Sequence, residues 1–455
     1  MRELTGPEIQ SGRSGTPHDG SARDPVLPLF AMLDLRTLRE RHAEILESCQ
    51  RRNVSPDVAG ALAEHERVTA LRTSLNDANR LRNEHQKAGK RPMEDADRDA
   101  HVAAGRKLKQ DVAGIESELR EHEQTLQELM LDLPNFVHPD APVGGEEAFR
   151  ILKPGKAKQF DFEPLDHLTL CEQNDLVDFE AGARVSGQKF YFLKNEAALL
   201  DLALQRFALD KLIEQDFTAV ATPDLARPGI VSNMGYNPRG EETQIYSIED
   251  HDLCLVGTAE ITLGGMLANS IVEEAQLPIR LAGISHCFRT EAGAHGRESK
   301  GLYRVHQFSK TEMFVFCRPE DSEAQHAELR RIEEEIFDSL EIPYRVIDVA
   351  SGDLGAPAYR KFDLEAWMPG RGDGGSWGEI TSASNCTDFQ ARRLKSRYRP
   401  ADGGKPEVLH TLNGTAISNA RAILALVEIH QRADGSIGIP KALIPYMGCD
   451  SIGPR

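Results

Sequence analysis

Arg289, Glu291, Phe308 and Glu312 fall on two β-prone stretches, 287–293 and 303–313, joined by a polar loop that holds Gly293, Gly296 and Gly301. Both stretches alternate around residues of high strand propensity. The charged, glycine-rich connection therefore predicts a hairpin with a long loop. An arginine here offers a planar fork of donors to a phosphate, and Phe308 offers a face on which a base can stack. Two strands so equipped can line a nucleotide site. A solvated hairpin with a surface ion pair between Arg289 and Glu291 is the plain alternative.

Two later segments add to the set. Residues 379–386 read Glu-Ile-Thr-Ser-Ala-Ser-Asn-Cys, and residues 410–416 read His-Thr-Leu-Asn-Gly-Thr-Ala before Arg421 on an apolar helix. Together these resemble a seryl-tRNA synthetase, of the class II aminoacyl-tRNA synthetase family. The hairpin 287–313 resembles class II motif 2, and 413–428 resembles motif 3. Thr258-Ala259-Glu260 is similar to the family's serine-binding T-x-E element, and Pro445-Tyr446-Met447-Gly448 to its C-terminal signature. The likeness runs from about residue 32 to 448, with four elements in the right order.

The resemblance implies an α+β fold: an N-terminal antiparallel helical hairpin, the coiled-coil arm, followed by a class II catalytic domain with an antiparallel sheet flanked by helices. It implies activation of L-serine by ATP to seryl-adenylate and pyrophosphate, then transfer of serine to the 3′ end of tRNA(Ser), and of tRNA(Sec). Such chemistry needs charges held and oxygens oriented, with no covalent nucleophile. By resemblance Arg289 binds the α-phosphate, Arg421 the γ-phosphate of a bent ATP, and Glu379 completes the catalytic set. Phe308 stacks under adenine, Glu291 accepts from its amino group, and Val305, Thr290, Ile380 and Thr381 complete the ATP site. Glu379 and Ser382 offer hard oxygens to Mg2+. Serine recognition falls to Thr258, Ala259, Glu260, Glu312, Asn413 and Thr415. Carboxylates suit its amine and hydrogen-bonding groups its hydroxyl, while threonine has to be refused by crowding. His295, Arg297, Glu298 and Lys300 lie on the motif 2 loop, where an acceptor end would pass. His306 reads as a packed strand histidine. Asn419 and Ala420 depart from the family, which often carries glycine at the second of these positions.

Length and composition set the frame. The chain has 455 residues, 40% of them hydrophobic, enough for about three domains and a substantial core. No apolar run approaches the ~20 residues that cross a bilayer. Seven cysteines without a C-x-x-C pair point to a reducing compartment, and no clustered metal-ligand spacing suggests zinc. The expected location is the cytoplasm. Residues 1–31, rich in Gly, Pro, Ser, Arg and Asp, are expected to be a disordered extension or translated from a mis-assigned start.

A net charge of -18 opposes a polyanionic partner, so local charge has to decide. Arg80, Arg82, Lys87, Lys90 and Arg91 cluster against Glu84 alone. They lie beside the expected turn between two long helices. The first begins at Ser55-Pro56, N-cap and first helical residue, and carries Val68, Leu71, Leu75 and Ala78. The second carries Ala104, Leu108, Val112, Ile115, Leu119, Leu126, Leu129 and Leu133. By periodicity alone this is a dimerising coiled coil; the resemblance makes it an arm that grips tRNA through phosphate and sugar contacts. The expected division is 32–133 for the arm domain, 134–160 for a linker and 161–455 for the catalytic domain. Within the latter, 195–217 reads as an amphipathic helix with Leu199, Leu202, Phe207, Leu212 and Ile213, and with the strand to residue 222 it resembles motif 1, a helix and strand that build a homodimer interface. A carrier-protein aminoacylating homologue, which typically lacks the arm, an inactive homologue, and a copy resisting a seryl-adenylate-like antibiotic are the alternatives.

Overall fold

The computed structural model describes residues 35–236, 244–292 and 301–455, so the extension 1–31 and the loop residues His295, Arg297, Glu298 and Lys300 lie outside the described residues. A short helix α1 (His42–Arg51) precedes two long ones, α2 (Val58–Ala88) and α3 (Asp95–Leu131). These two run antiparallel as the arm. Asp57, two residues beyond the predicted Ser55 cap, accepts from the Gly60 amide at 2.7 Å, because its carboxylate is the one placed to meet an unpaired first-turn donor. Val58, Ala61, Val68 and Leu71 pack on Leu119, Leu126 and Met130. Arg67–Glu118 (2.5 Å) and Arg72–Glu123 (2.8 Å) tie the two helices from outside. Toward the tip the stripe changes character. Ala104, expected inside, is exposed, and the contact passes to His85 and His101, whose rings stack at 3.7 Å.

The body is built on an eight-stranded sheet whose edge strand is β1 (Arg150–Lys153). The segment 134–160, read from its prolines as a linker, thus supplies a strand and, through Asn135, hydrogen bonds to the core. Proline and glycine content cannot reveal such tethering, because the Asn135 partners Pro357 and Cys386 lie 222 and 251 residues away. Helix α4 (Asn195–Glu214) leads into β2 (Thr218–Ala221) at the opposite edge, and a short helix α5 (Ala259–Gly265) precedes β3 (Ile279–Phe288). Then come β4 (Gln307–Cys317), α6 (Ser322–Ser339), β5 (Tyr344–Asp348), β6 (Arg360–Met368), β7 (Ser376–Thr387), α7 (Phe389–Leu394), β8 (His410–Ser418) and α8 (Asn419–Ile429). The strand order is β1-β5-β6-β7-β8-β4-β3-β2, antiparallel except for the β2–β3 pair.

Residues such as Leu204, Phe207 and Leu212 of α4, Ile332 and Ile336 of α6, and Ile423 and Leu426 of α8 form one core with the strands. Leu199, Leu202 and Ile213 of α4, counted by spacing with the buried face, are instead 52%, 63% and 50% exposed. The helix is apolar on two sides, which a single hydrophobic stripe does not describe. No described helix is long and apolar enough to cross a membrane.

Candidate active site

The predicted hairpin is β3 and β4, with Cys287 opposite Phe308 and Gly283 opposite Glu312. It forms one wall of a cavity of about 520 Å³ completed by β7, β8 and the start of α8. Arg289, Glu291, Val305, Phe308, Glu312, Glu379, Ile380, Thr381, Ser382, Asn413, Thr415 and Arg421 all line it, as does Glu260. Thr258, Ala259 and Thr290 do not. Thr258 caps α5 and donates to Glu312 Oε2 at 3.2 Å, Ala259 is fully buried in that helix, and the Thr290 amide donates to the Gln244 carbonyl.

Strand irregularities decide which side chains reach the cavity. Along a regular strand residues three apart face opposite sides. In β7, however, Thr381 pairs with Leu364 while Glu379 pairs with Glu365, which leaves Ile380 as an extra residue. That bulge turns Glu379 and Ser382 to the same cavity. A second bulge in β8, where Thr415 pairs with Glu312 and Ile417 with Thr311, does the same for Thr415 and Ser418.

At the cationic end, Arg421 Nη1 donates to the Glu379 main-chain oxygen at 3.0 Å and lies 3.2 Å from its carboxylate, with the guanidinium over the Tyr303 ring at 4.8 Å. Arg289 Nε donates to the Gly257 carbonyl at 3.2 Å, and its guanidinium lies 5.2 Å from the Phe308 ring centre. The main chain of Arg289 is pinned by His306, whose Nδ1 sits 2.8 Å from the Arg289 oxygen and whose own carbonyl accepts from the Arg289 amide. Burial pushes the Glu379 carboxyl up, but Arg421, Lys361 and Arg289 more than offset this and hold it below its ordinary range. Glu379 is thus an ionised carboxylate between guanidiniums. With the Ser382 oxygen it forms a hard donor pair that suits a magnesium ion carried in by phosphates, since Mg2+ keeps most of its shell from water and phosphate. The described residues hold no group of three or more His, Cys, Asp or Glu side chains that would cage a metal. Glu291, at a positive φ of 53°, pairs with Arg304 at 2.7 Å.

At the other end two carboxylates face one cavity while nearly out of water. Glu260 is 5% exposed and accepts from Tyr236 (2.6 Å), Gln390 (2.6 Å) and Asn413 (3.0 Å). Glu312 is 1% exposed and pairs with Lys310 as well as Thr258. Burial raises both, and Glu260 further raises Glu312, which is pushed up to about 7 against the pull of Lys310. Two desolvated acids that oppose each other's ionisation make a site that favours an incoming cation.

The amino-terminal segment 32–137 matches the seryl-tRNA synthetase N-terminal domain, and 244–430 matches the class II tRNA synthetase core domain of the G, H, P, S and T enzymes. The chain is 51% identical to a serine–tRNA ligase of Treponema denticola, over 93% of this chain and all of that protein. The chain belongs to the seryl-tRNA synthetase family. A serine–tRNA ligase of Rhodopirellula baltica is 53% identical over 92% of the chain and 99% of its own length. A crystal structure of seryl-tRNA synthetase from Pyrococcus horikoshii complexed with ATP superposes with a TM-score of 0.82 at 39% identity, covering 93% of this chain and all of that one.

Several site residues escaped the sequence reading. Lys310 could have been found, because it stands two residues before Glu312 and so on the same strand face. Tyr236 and Gln390, which hold Glu260, lie 24 and 130 residues from it and carry no local signal. Lys361 reaches the cavity from β6. Ala420 lines the cavity, whereas Asn419 turns away to bond Asp201 at 2.9 Å.

Proposed function

We propose that this seryl-tRNA synthetase divides its cavity between a triphosphate end at Arg289, Arg421 and Glu379 and a serine end at Glu260, Glu312, Asn413 and Thr415. The serine ammonium sits between Glu260 and Glu312, and the hydroxyl is paired by polar groups from β8. The serine carboxylate then attacks the α-phosphorus in line; the bond to the bridging oxygen breaks and pyrophosphate leaves. Arg289 stabilises charge on the α-phosphoryl oxygens, and Arg421 holds the γ end. Magnesium, bound at Glu379 and Ser382 together with phosphate oxygens, would neutralise triphosphate charge. Phe308 stacks the base, Glu291, Val305, Ile380 and Thr381 frame the nucleotide, and Thr290, outside the cavity lining, anchors the strand end beside Glu291 through the Gln244 carbonyl. A terminal ribose hydroxyl of tRNA(Ser) or tRNA(Sec) next attacks the seryl carbonyl, and AMP departs.

The observation that carries this reading is the pair of buried carboxylates opposite two guanidiniums within one cavity. The same reading includes a homodimer, a cytoplasmic location and tRNA contact by Arg80, Arg82, Lys87, Lys90 and Arg91. Exposed Leu199, Leu202 and Ile213, beside the half-open edge strand β2, support the homodimer. ATP–pyrophosphate exchange with serine, compared with threonine, alanine and glycine, followed by transfer to tRNA, tests it. Serine-dependent exchange is expected; equal exchange with alanine would reject the assigned hydroxyl site.

A further inference from the structure

Arg52 follows α1 at the root of the arm and is 4% exposed, yet among the described residues no carboxylate pairs with it. Its five N–H groups are all spent on main-chain carbonyls. Nε donates to Asn135 at 3.0 Å, Nη1 to Leu354 (3.3 Å) and Gly355 (3.1 Å), and Nη2 to Phe136 (3.2 Å) and Ala358. Asn135 covers the two carbonyls of that loop which Arg52 leaves. Its amide donates to Ala356 and its side chain to Pro357, each at 2.8 Å. Every carbonyl from 354 to 358 is therefore held by one of two residues from the amino-terminal side.

That loop is part of the cavity, since Gly355, Ala356, Pro357 and Ala358 line it. Its neighbours identify which end. Pro357 packs so closely on Gly235 that a Cβ there would lie 3.0 Å from its ring, and the next residue, Tyr236, holds Glu260. Asn135 Nδ2 also bonds the Cys386 carbonyl at 2.8 Å, and the Cys386 sulfur sits 3.6 Å from Asn413 Nδ2. A reciprocal contact comes from α7. There Arg393 Nη2 donates to the Leu131 (3.3 Å) and Leu133 (3.1 Å) carbonyls at the end of α3, three residues from Gln390, which holds Glu260.

We infer that Arg52, with Asn135, is a positioning residue that sets the wall of the serine pocket from the root of the arm and so helps exclude threonine. This rests on the proposed placement of serine at Glu260 and Asn413. A buried guanidinium is costly, and its rigid five-donor fork is what makes five carbonyls in one place tolerable. Lysine has three donors and no plane, so Arg52→Lys leaves carbonyls unmet and lets the wall relax outward. Room for one extra methyl group is worth roughly 10- to 200-fold in discrimination.

The test measures exchange by the full chain with serine and with threonine, together with the KM for ATP. Arg52→Lys is expected to raise the serine KM about tenfold and to cut the serine-over-threonine ratio of kcat/KM by a similar factor, with the ATP KM within about twofold of the parent. Asn135→Ala should move the same two quantities in the same direction. Should Arg52→Lys fail to fold, Asn135→Ala alone carries the test. An unchanged serine KM and an unchanged threonine ratio in a folded variant, or equal losses for serine and ATP, would overturn the inference and leave these residues a purely structural clasp. Absence of serine-dependent exchange in the parent protein would instead refute the functional reading itself.

Discussion

Burial makes Glu312 hard to ionise, and an arriving cation adds to the help that Lys310 already gives. Its carboxyl titrates near 7 because desolvation and Glu260 together outweigh Lys310 and Thr258. Below that pH the pocket loses one of the two charges proposed to hold the serine ammonium. Serine affinity is therefore expected to weaken by about tenfold per pH unit as pH falls below about 7, and to level off above it. Calorimetric titration of serine across this range checks the slope, and Glu312→Gln should bind weakly with a flat profile. Arg421 makes a different demand. It bonds both the main chain and the carboxylate of Glu379 while stacking on Tyr303. An ammonium can meet one of these needs at a time. Arg421→Lys is expected to lower kcat/KM for ATP in exchange by about 10²- to 10³-fold, with serine binding retained.

Helix α6 brings a carboxyl where nothing charged is welcome. Glu333 is fully buried against the sheet, accepts from Thr381 Oγ1 at 3.1 Å, and has its other oxygen 3.1 Å from where a Cβ on Gly414 would stand. Glycine at 414 leaves room for that oxygen between the pocket residues Asn413 and Thr415. Burial raises the Glu333 pKa well above the ordinary carboxyl value, aided by Asp363 and Glu312 and opposed by Thr381 and the Thr415 main chain. An acid whose folded pKa lies above its unfolded one binds its proton more tightly when folded. Its contribution to stability is thus complete below the unfolded value and declines as pH rises toward the folded one, by about 1.4 kcal/mol per unit. Glu333→Gln should melt with the parent at acidic pH and above it at alkaline pH, as scanning calorimetry across pH would record. A parallel pH dependence in both proteins would mean that Glu333 does not govern that decline.

Across the whole molecule, the arm sets the proposed tRNA contact far from the cavity. Helix α2 has 31 residues, which at about 1.5 Å each places its tip roughly 45 Å from its root. Arg80, Lys87, Lys90 and Arg91 stand exposed near that tip, and among the described residues Arg80 pairs with Asp77 at 3.2 Å, a weak surface contact. Reversing the charge of Arg80, Arg82 and Lys87 is expected to weaken tRNA binding and to flatten its salt dependence by about one unit of slope for each phosphate no longer neutralised. Exchange without tRNA should be unaltered, because no charge near the cavity changes. Filter binding at several salt concentrations, with exchange run alongside, distinguishes weakened RNA binding from damage to the fold.

Much of this is legible in the sequence. Local patterns carry the arm helices and the β3–β4 hairpin, since period, turn chemistry and side-chain type act over a few neighbours, and the residues of motifs 2 and 3 follow from the family resemblance. Glu379 and Ser382 could be named from their segment, but that both face the cavity depends on one extra residue in β7, which is visible only against its partner strand. The displaced helix cap at Asp57, the exposed outer face of α4 and the strand within 134–160 escaped for the same kind of reason. Tyr236, Gln390, Arg52 and Asn135 have no signature at all, because each acts through hydrogen bonds to groups tens to hundreds of residues away. The chain's own order of residues determined the chemistry available and the family to which it belongs. Which oxygens meet which donors, and how far burial shifts each carboxylate, was decided only when the sheet brought distant segments out of water together.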